Sequence, residues 1–198
     1  MLIRSCNTFV SRSNALVSLS AVGGSSPSTR ATSSAFASTL PGSTTAYDGH
    51  NWLLGPNWAF HAETAVHALR LIGSGIFDEC PGLRVVLGHL GEGIPVYLWR
   101  IDGRNGWMKA PHKYAAKHGV GHYFRKHFHL TTSGNFSTPA LVNAIAEMGA
   151  DRIMFSIDWP FEAIDEGAEW LDKAAISDSD RVQIGRDNAI KLFKLKLA

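Results

Sequence analysis

The sequence has 198 residues, 45% of them hydrophobic and 18% charged, which predicts one globular domain with a buried core and no membrane-spanning segment. Cys6 and Cys80 are its two cysteines, which excludes a disulfide scaffold and a four-cysteine zinc site and favours a reducing compartment, the cytoplasm. The formal charge of +2 comes from three arginines before residue 47, and without them 16 basic residues face 17 acidic ones, so we expect no nucleic-acid partner.

Residues 1–46 differ in composition from everything that follows them. Ser and Thr make up about two-fifths of this stretch, and it contains no acidic residue. Such a composition buries too little apolar surface to order the backbone, which predicts a disordered leader. A mitochondrial transit peptide, which would change the predicted location, and a gene-model artefact are the alternatives. We therefore expect the folded domain to span residues 47–198.

From Asn51 onward, helical periodicity alternates with short β-branched runs. Apolar positions from Ala62 to Ile76 recur every three or four residues and predict a helix, whereas the run over 83–87 predicts a buried strand. The other predicted elements are a helix over 94–101, a strand over 128–132, a helix capped by Thr138, a strand over 152–157 and a helix from Ser177 to Leu195. Alternating strands and helices predict an α/β fold with a parallel sheet.

Polar side chains follow three of the predicted strands. His89 and Glu92 come after the first, residues 131–135 end the second, and Asp158 ends the third. In an array of βα units, the carboxyl ends of the strands form the functional face. A carboxylate and an imidazole delivered there by neighbouring strands suit metal binding or proton transfer.

Two other histidine patterns have weaker interpretations. His127 and His129 flank Phe128 and match a metal-binding pair, but no third ligand lies nearby in the sequence, so two partly exposed structural histidines beside a core Phe128 are favoured. His61 and Glu63 match the H-x-E of zinc deaminases, but that chemistry also requires a P-C-x-x-C motif, which the sequence lacks.

An aromatic cluster lies at the start of the folded part. Trp52, Trp58 and Phe60 form either part of the core or the wall of a pocket for an aromatic substrate. The sequence contains no G-x-G-x-x-G, Walker or G-x-S-x-G motif, so a nucleotide-binding loop and a serine-hydrolase elbow are excluded.

Six ordered motifs resemble the metal-dependent aromatic acid decarboxylases of the amidohydrolase superfamily, over about residues 46–197. The match is closest to the fungal 2,3-dihydroxybenzoate (o-pyrocatechuate) decarboxylases, and 6-methylsalicylate and γ-resorcylate decarboxylases share most of the motifs. The motifs are Trp58–Leu71, Leu87–Glu92, Leu98–Asp102, Thr131–Gly134, Phe155–Glu162 and Asn188–Phe193.

The resemblance implies a (β/α)₈ TIM barrel with a divalent metal, zinc, manganese or magnesium, and an ortho-hydroxybenzoate as substrate. In the family, the residue that matches Asp158 is both associated with the metal and the acid that protonates the ring carbon bearing the carboxylate. The residues that match His89 and Glu92 form a hydrogen-bonded set that positions this acid. A metal that neutralises the phenolate and carboxylate lowers the cost of breaking aromaticity.

The resemblance also implies residues that bind substrate. Trp58, Phe60 and Trp159 become candidates for lining the pocket of the ring. Arg100 lies in a segment that packs against a neighbouring subunit in relatives, which makes it a candidate for support from a second protomer. Family membership further implies a homo-oligomer and a small aromatic acid as the binding partner.

The sequence departs from the family pattern in one respect. Family members carry a Glu-x-His motif on the first strand and a further ligand histidine on a middle strand, but no E-x-H motif precedes Asn51 here. The body is also short for a barrel of about 250 residues. We therefore expect the carboxyl-terminal part of the barrel, from a truncated gene model or a shortened paralogue, with poor metal binding and impaired decarboxylase activity.

Two other functions stay open at this point. The first is a metal-dependent hydrolase of the same superfamily, with Asp158 as the general base for a metal-bound water. The second is a non-catalytic homologue that associates with a full-length partner through its exposed barrel edge.

Overall fold

The computed structural model describes residues 16–19, 47–107 and 114–196, and it confirms an α/β fold built on a parallel sheet. The four strands are β1 (Leu16–Leu19), β2 (Arg84–Leu87), β3 (Phe128–Thr131) and β4 (Ile153–Met154), and they lie side by side in chain order. Every neighbouring pair is parallel. Their carboxyl ends therefore lie at one edge of the sheet, as predicted for consecutive βα units.

Helices connect and cover these strands. They are α1 (Ala59–Gly73), α2 (Ile76–Glu79), α3 (Ile94–Trp107), α4 (Val120–His127), α5 (Thr138–Met148), α6 (Ile164–Lys173), α7 (Asp178–Val182) and α8 (Asn188–Phe193), with a π-helical turn at Gln183–Asp187 and 3₁₀ turns at Asn51–Leu53, Gly55–Asn57 and Ala150–Arg152. None of the helices in the described ranges is long and apolar enough to cross a membrane.

The core lies between the sheet and the helices. Strand residues alternate in direction, so Val85 and Leu87 of β2 point to the same side as Phe128 and Leu130 of β3. All four are fully buried against apolar positions of the helices, among them Ile72 of α1. Burial of this face orients the strands and places their polar ends at the edge of the sheet.

The strand before Asp158, the cap of α5 and the last predicted helix differ in part from the prediction. The strand predicted over 152–157 is only Ile153–Met154, because the backbone N–H of Phe155 donates to Ile184 outside the sheet. The cap of α5 is Ser137 and not Thr138, since the Ser137 hydroxyl accepts from the Ala140 N–H. Ser177 caps α7 as predicted, although the helix that follows is interrupted by the π-helical turn.

The predicted disordered leader lies outside the described residues, with one exception. Leu16–Leu19 forms β1, whose backbone pairs with all four residues of β2. These four residues pair with the sheet, and the disordered leader stays a prediction.

Candidate active site

A left-handed turn follows β2 and carries the first two site residues. His89 to Glu92 have positive φ angles throughout, with +48° at His89 and +54° at Glu92. Residues other than glycine rarely adopt positive φ angles, so the backbone of this turn is strained. Within this turn the side chains of His89 and Glu92 meet, and a hydrogen bond of 2.8 Å joins His89 Nδ1 to Glu92 Oε1.

The carboxylate of Glu92 is the buried centre of the site. Its side chain is only 1% exposed, and each of its oxygens lies against an imidazole. His89 Nδ1 is hydrogen-bonded to Glu92 Oε1. Nδ1 of His61, on the first turn of α1, lies 3.2 Å from Glu92 Oε2. A buried carboxylate requires such partners, because loss of hydration is costly without them.

The other nitrogen of His89 faces Asp158. His89 Nε2 lies 3.6 Å from Asp158 Oδ2, which is ion-pair distance, and both side chains are about one-third exposed. The hydrogen bond that His89 donates to Glu92 raises the pKa of His89 above its ordinary value, although burial acts in the opposite direction. His89 therefore keeps a proton to higher pH than a free imidazole and holds it beside the carboxyl of Asp158.

The loop after β3 is hydrogen-bonded to both the turn after β2 and the loop after β4. The amide of Asn135 donates to the carbonyl of His89 at 3.3 Å, and the N–H of Gly134 donates to the carbonyl of Ile157 at 3.1 Å. The hydroxyl of Thr132 donates to the Ser156 carbonyl and accepts from the Ser156 N–H. These bonds fix the ends of three strands relative to one another, so His89 and Asp158 are held by rigid elements.

The predicted substrate-binding residues lie at the start of α1, on α3 and on the loop that carries Asp158. Trp58 is half-exposed at the N-cap position of α1. Its ring centroid lies 5.0 Å from that of His61. Trp159 directly follows Asp158 and is 69% exposed. Phe60 is half-buried on the first turn of α1. Arg100 lies on the exposed side of α3 and forms no ion pair with a carboxylate in the described part of the chain.

The described residues do not complete a metal site by themselves. No group of three or more His, Cys, Asp or Glu side chains able to hold a metal occurs within the ranges that the structure describes. His127 and His129 are buried, and neither lies in such a group. His127 contacts the Leu83 carbonyl, and His129 Nε2 lies 3.4 Å from Arg152, as expected of structural histidines. They are more buried than the sequence analysis assumed.

The sequence patterns did not predict that His61 belongs to this site. It lies 28 positions before His89 on a helix, and its H-x-E spacing pointed to a different chemistry. No local pattern links His61 to Glu92, because only the packing of α1 beside the left-handed turn brings them together.

Comparison with known proteins gives one consistent result. The model of the amidohydrolase family matches residues 29–195. The γ-resorcylate decarboxylase of Rhizobium sp. (strain MTP-10005) is 59% identical over 156 residues, which cover 79% of this chain and 48% of the relative. The chain thus spans about half the length of the curated relatives that it matches.

Solved structures show the same relationship. The crystal structure of 2,6-dihydroxybenzoate decarboxylase in complex with 2,6-dihydroxybenzoate is similar with a TM-score of 0.74 and 59% identity, over 79% of this chain and 48% of that one. A dihydroxybenzoic acid decarboxylase from Polaromonas sp. JS666, with bound manganese and the inhibitor 2-nitroresorcinol, is similar with a TM-score of 0.75 and 58% identity. The match covers 80% of this chain and 48% of that one.

Proposed function

The chain belongs to the amidohydrolase family, and from this premise we propose that its site serves the non-oxidative decarboxylation of an ortho-hydroxybenzoate. The observation that carries the proposal is the position of His89 between the buried carboxylate of Glu92 and the accessible carboxyl of Asp158. This arrangement holds a proton next to an acid that a ligand can reach.

The chemistry requires one proton to replace one molecule of CO₂. The carboxyl of Asp158 delivers its proton to the ring carbon that bears the carboxylate, and aromaticity is lost. The bond between the ring and the carboxylate then breaks, its electron pair returns to the ring, and CO₂ leaves. Asp158 is left as a carboxylate, and His89, 3.6 Å away and itself protonated from solvent, returns a proton to it.

The environment of His89 keeps its ring protonated for this second transfer. Glu92 stabilises the protonated imidazole, and its own charge is held by two nitrogen partners in a buried position. His89 is therefore charged in a larger fraction near neutral pH than an exposed histidine. The left-handed turn keeps Nε2 directed at Asp158, so a transfer needs no rearrangement of the backbone.

A divalent metal belongs to the complete site of this family, and one of the similar structures contains manganese. When bound, such an ion neutralises the carboxylate and phenolic oxygens of the substrate. In this chain Asp158 would be a ligand, but the described residues supply no third donor beside it. We accordingly propose that the chain binds zinc, manganese or magnesium poorly and turns over slowly.

The relatives also bear on the isomer of the substrate. The names of the most similar relatives give γ-resorcylate, and the similar crystal structure holds 2,6-dihydroxybenzoate. The motifs alone had favoured the 2,3-isomer. We propose 2,6-dihydroxybenzoate as the preferred substrate, since it offers a phenolic oxygen on either side of the carboxylate.

The test is the formation of resorcinol from 2,6-dihydroxybenzoate by the purified chain with manganese, measured by mass spectrometry in D₂O. We expect slow formation of resorcinol that carries one deuterium at the carbon that lost CO₂, and at least a hundredfold loss in Asp158→Asn. The 2,3-isomer run in parallel reports the preference. Equal rates in the wild type and Asp158→Asn would contradict the proposal.

A second surface of the chain supports association. The side chains of Val96, Tyr97, Trp99 and Trp107 on α3 are between 59% and 83% exposed. An apolar patch of this kind on a helix is typical of a protein interface. We propose that α3 packs against a second protomer, which would place Arg100 of one chain next to its neighbour.

A further inference from the structure

The carboxylate of Glu92 has two imidazole partners, whereas the proposed proton transfer uses only one of them. We propose that His61 is a positioning residue, which fixes the second oxygen of Glu92 and thereby holds the carboxylate that orients His89. The inference rests on the proposed function. It adds His61 to the series of contacting side chains formed by Asp158, His89 and Glu92.

The burial of Glu92 is the first argument. A carboxylate side chain that is 1% exposed cannot take hydrogen bonds from bulk water, so its charge depends on protein donors. His89 satisfies Oε1 at 2.8 Å, and His61 satisfies Oε2 at 3.2 Å. Without His61 one oxygen would lose its donor, and the carboxylate would be free to rotate away from His89.

The packing around His61 is the second argument. The ring of Trp58, three residues earlier on the same helical turn, lies 5.0 Å from that of His61. A Cβ atom on Gly93 would lie 3.0 Å from His61 Cε1, so the backbone at Gly93 packs closely against the ring. These two contacts limit the movement of the imidazole, which is what a positioning residue requires.

The geometry also determines which nitrogen of each ring carries a proton. Because an ionised carboxylate only accepts hydrogen bonds, Nδ1 of both His61 and His89 must be the donor. The hydrogen bond of one ring nitrogen selects the tautomer of the whole ring. His61 therefore acts on His89 through Glu92, without touching Asp158 in the described contacts.

Nitrogen-15 NMR of the histidine rings, recorded on the full chain at pH 9, tests the inference without reference to turnover. We expect protonated Nδ1 shifts for both His61 and His89. In His61→Phe, which keeps a ring but removes the donor, His89 should become a mixture of tautomers, and its two nitrogen shifts should move toward each other. His61→Asn places an amide N–H near the original Nδ1 and should restore the wild-type shifts.

His67→Phe is the matched control, because His67 is exposed on the same helix. The ring signals of His129, which is buried in β3, report whether each variant is folded. Unprotonated Nδ1 on His61 in the wild type, or unchanged His89 shifts in a folded His61→Phe, would overturn the inference. A chain with both expected Nδ1 signals that releases no CO₂ would refute the decarboxylation and leave the positioning role supported.

Discussion

Gly134 and Asp158 approach so closely that a Cβ atom on Gly134 would lie 3.4 Å from Asp158 Oδ2 and 3.3 Å from Cγ of Glu162. The φ angle of Gly134 is +65°, a region that favours glycine. We predict that Gly134→Ala lowers the free energy of unfolding by about 1–2 kcal/mol, because alanine is strained there. It should also displace Asp158 and reduce decarboxylation, and urea denaturation together with the resorcinol assay measures both effects.

Gly103→Ala is the control for this prediction. Gly103 lies in α3, and a Cβ there meets no atom within 4 Å, so alanine should raise the stability by up to about 1 kcal/mol through its higher helix propensity. Full activity in Gly134→Ala would show that Asp158 tolerates the additional methyl group.

The raised pKa of His89 leads to a second prediction. The hydrogen bond that His89 donates to Glu92 is the largest cause of this raised pKa, whereas burial opposes it. In Glu92→Gln the negative charge is lost, so the pKa of His89 should fall. NMR titration of the ring measures this change, and an unchanged pKa would show that another group holds the proton. In the wild type, this interaction stabilises the fold below pH 6.5, and its contribution is lost as the pH rises through the raised pKa.

His129 leads to a prediction of the opposite sign. Burial and then the neighbouring Arg152 lower its pKa from 6.5 to about 4. The unfolded chain therefore takes up a proton before the folded one does, and stability should decrease as the pH falls from about 6.5 toward 4, by at most about 3 kcal/mol. The difference between wild type and His129→Leu in urea unfolding across this range isolates the effect. Identical pH dependence in both proteins would exclude it.

Metal content provides a third kind of test. We expect the purified chain, incubated with manganese and passed over a desalting column, to retain well below one ion per chain by elemental analysis. The reason is that Asp158 lacks a third donor group among the described residues. Stoichiometric manganese that is lost in Asp158→Asn would show that ligands outside those residues complete the site.

The exposed face of α3 predicts a change in oligomeric state. Trp99 is 83% exposed, and Trp99→Glu places a charge in the centre of the proposed interface. Light scattering should show a smaller particle for this variant than for the wild type. Val182→Glu, on α7 at 54% exposure, is the control and should leave the mass unchanged. A monomeric wild type would contradict the proposed association.

Most of the fold follows from local patterns. The β-branched run over 83–87 and the spacing in α1 gave β2 and α1 nearly at their observed bounds, because each pattern buries one face of its element. The strand predicted up to Ile157 was too long, since apolar residues alone do not show where a strand loses its hydrogen-bonding neighbour. β1 was not predicted from the sequence, because the residues on either side of it are rich in Ser and Thr, a composition typical of disordered segments.

The chain's own residues determine the chemical groups of the site and their order: an imidazole and a carboxylate after β2 and an acid after β4. Tertiary structure alone decides that His61 of α1 reaches the second oxygen of Glu92, and that a left-handed turn directs His89 at Asp158. The physical reason is that the order of strands and helices follows from local burial patterns, whereas a contact across 31 residues depends on how a helix packs beside a strained turn.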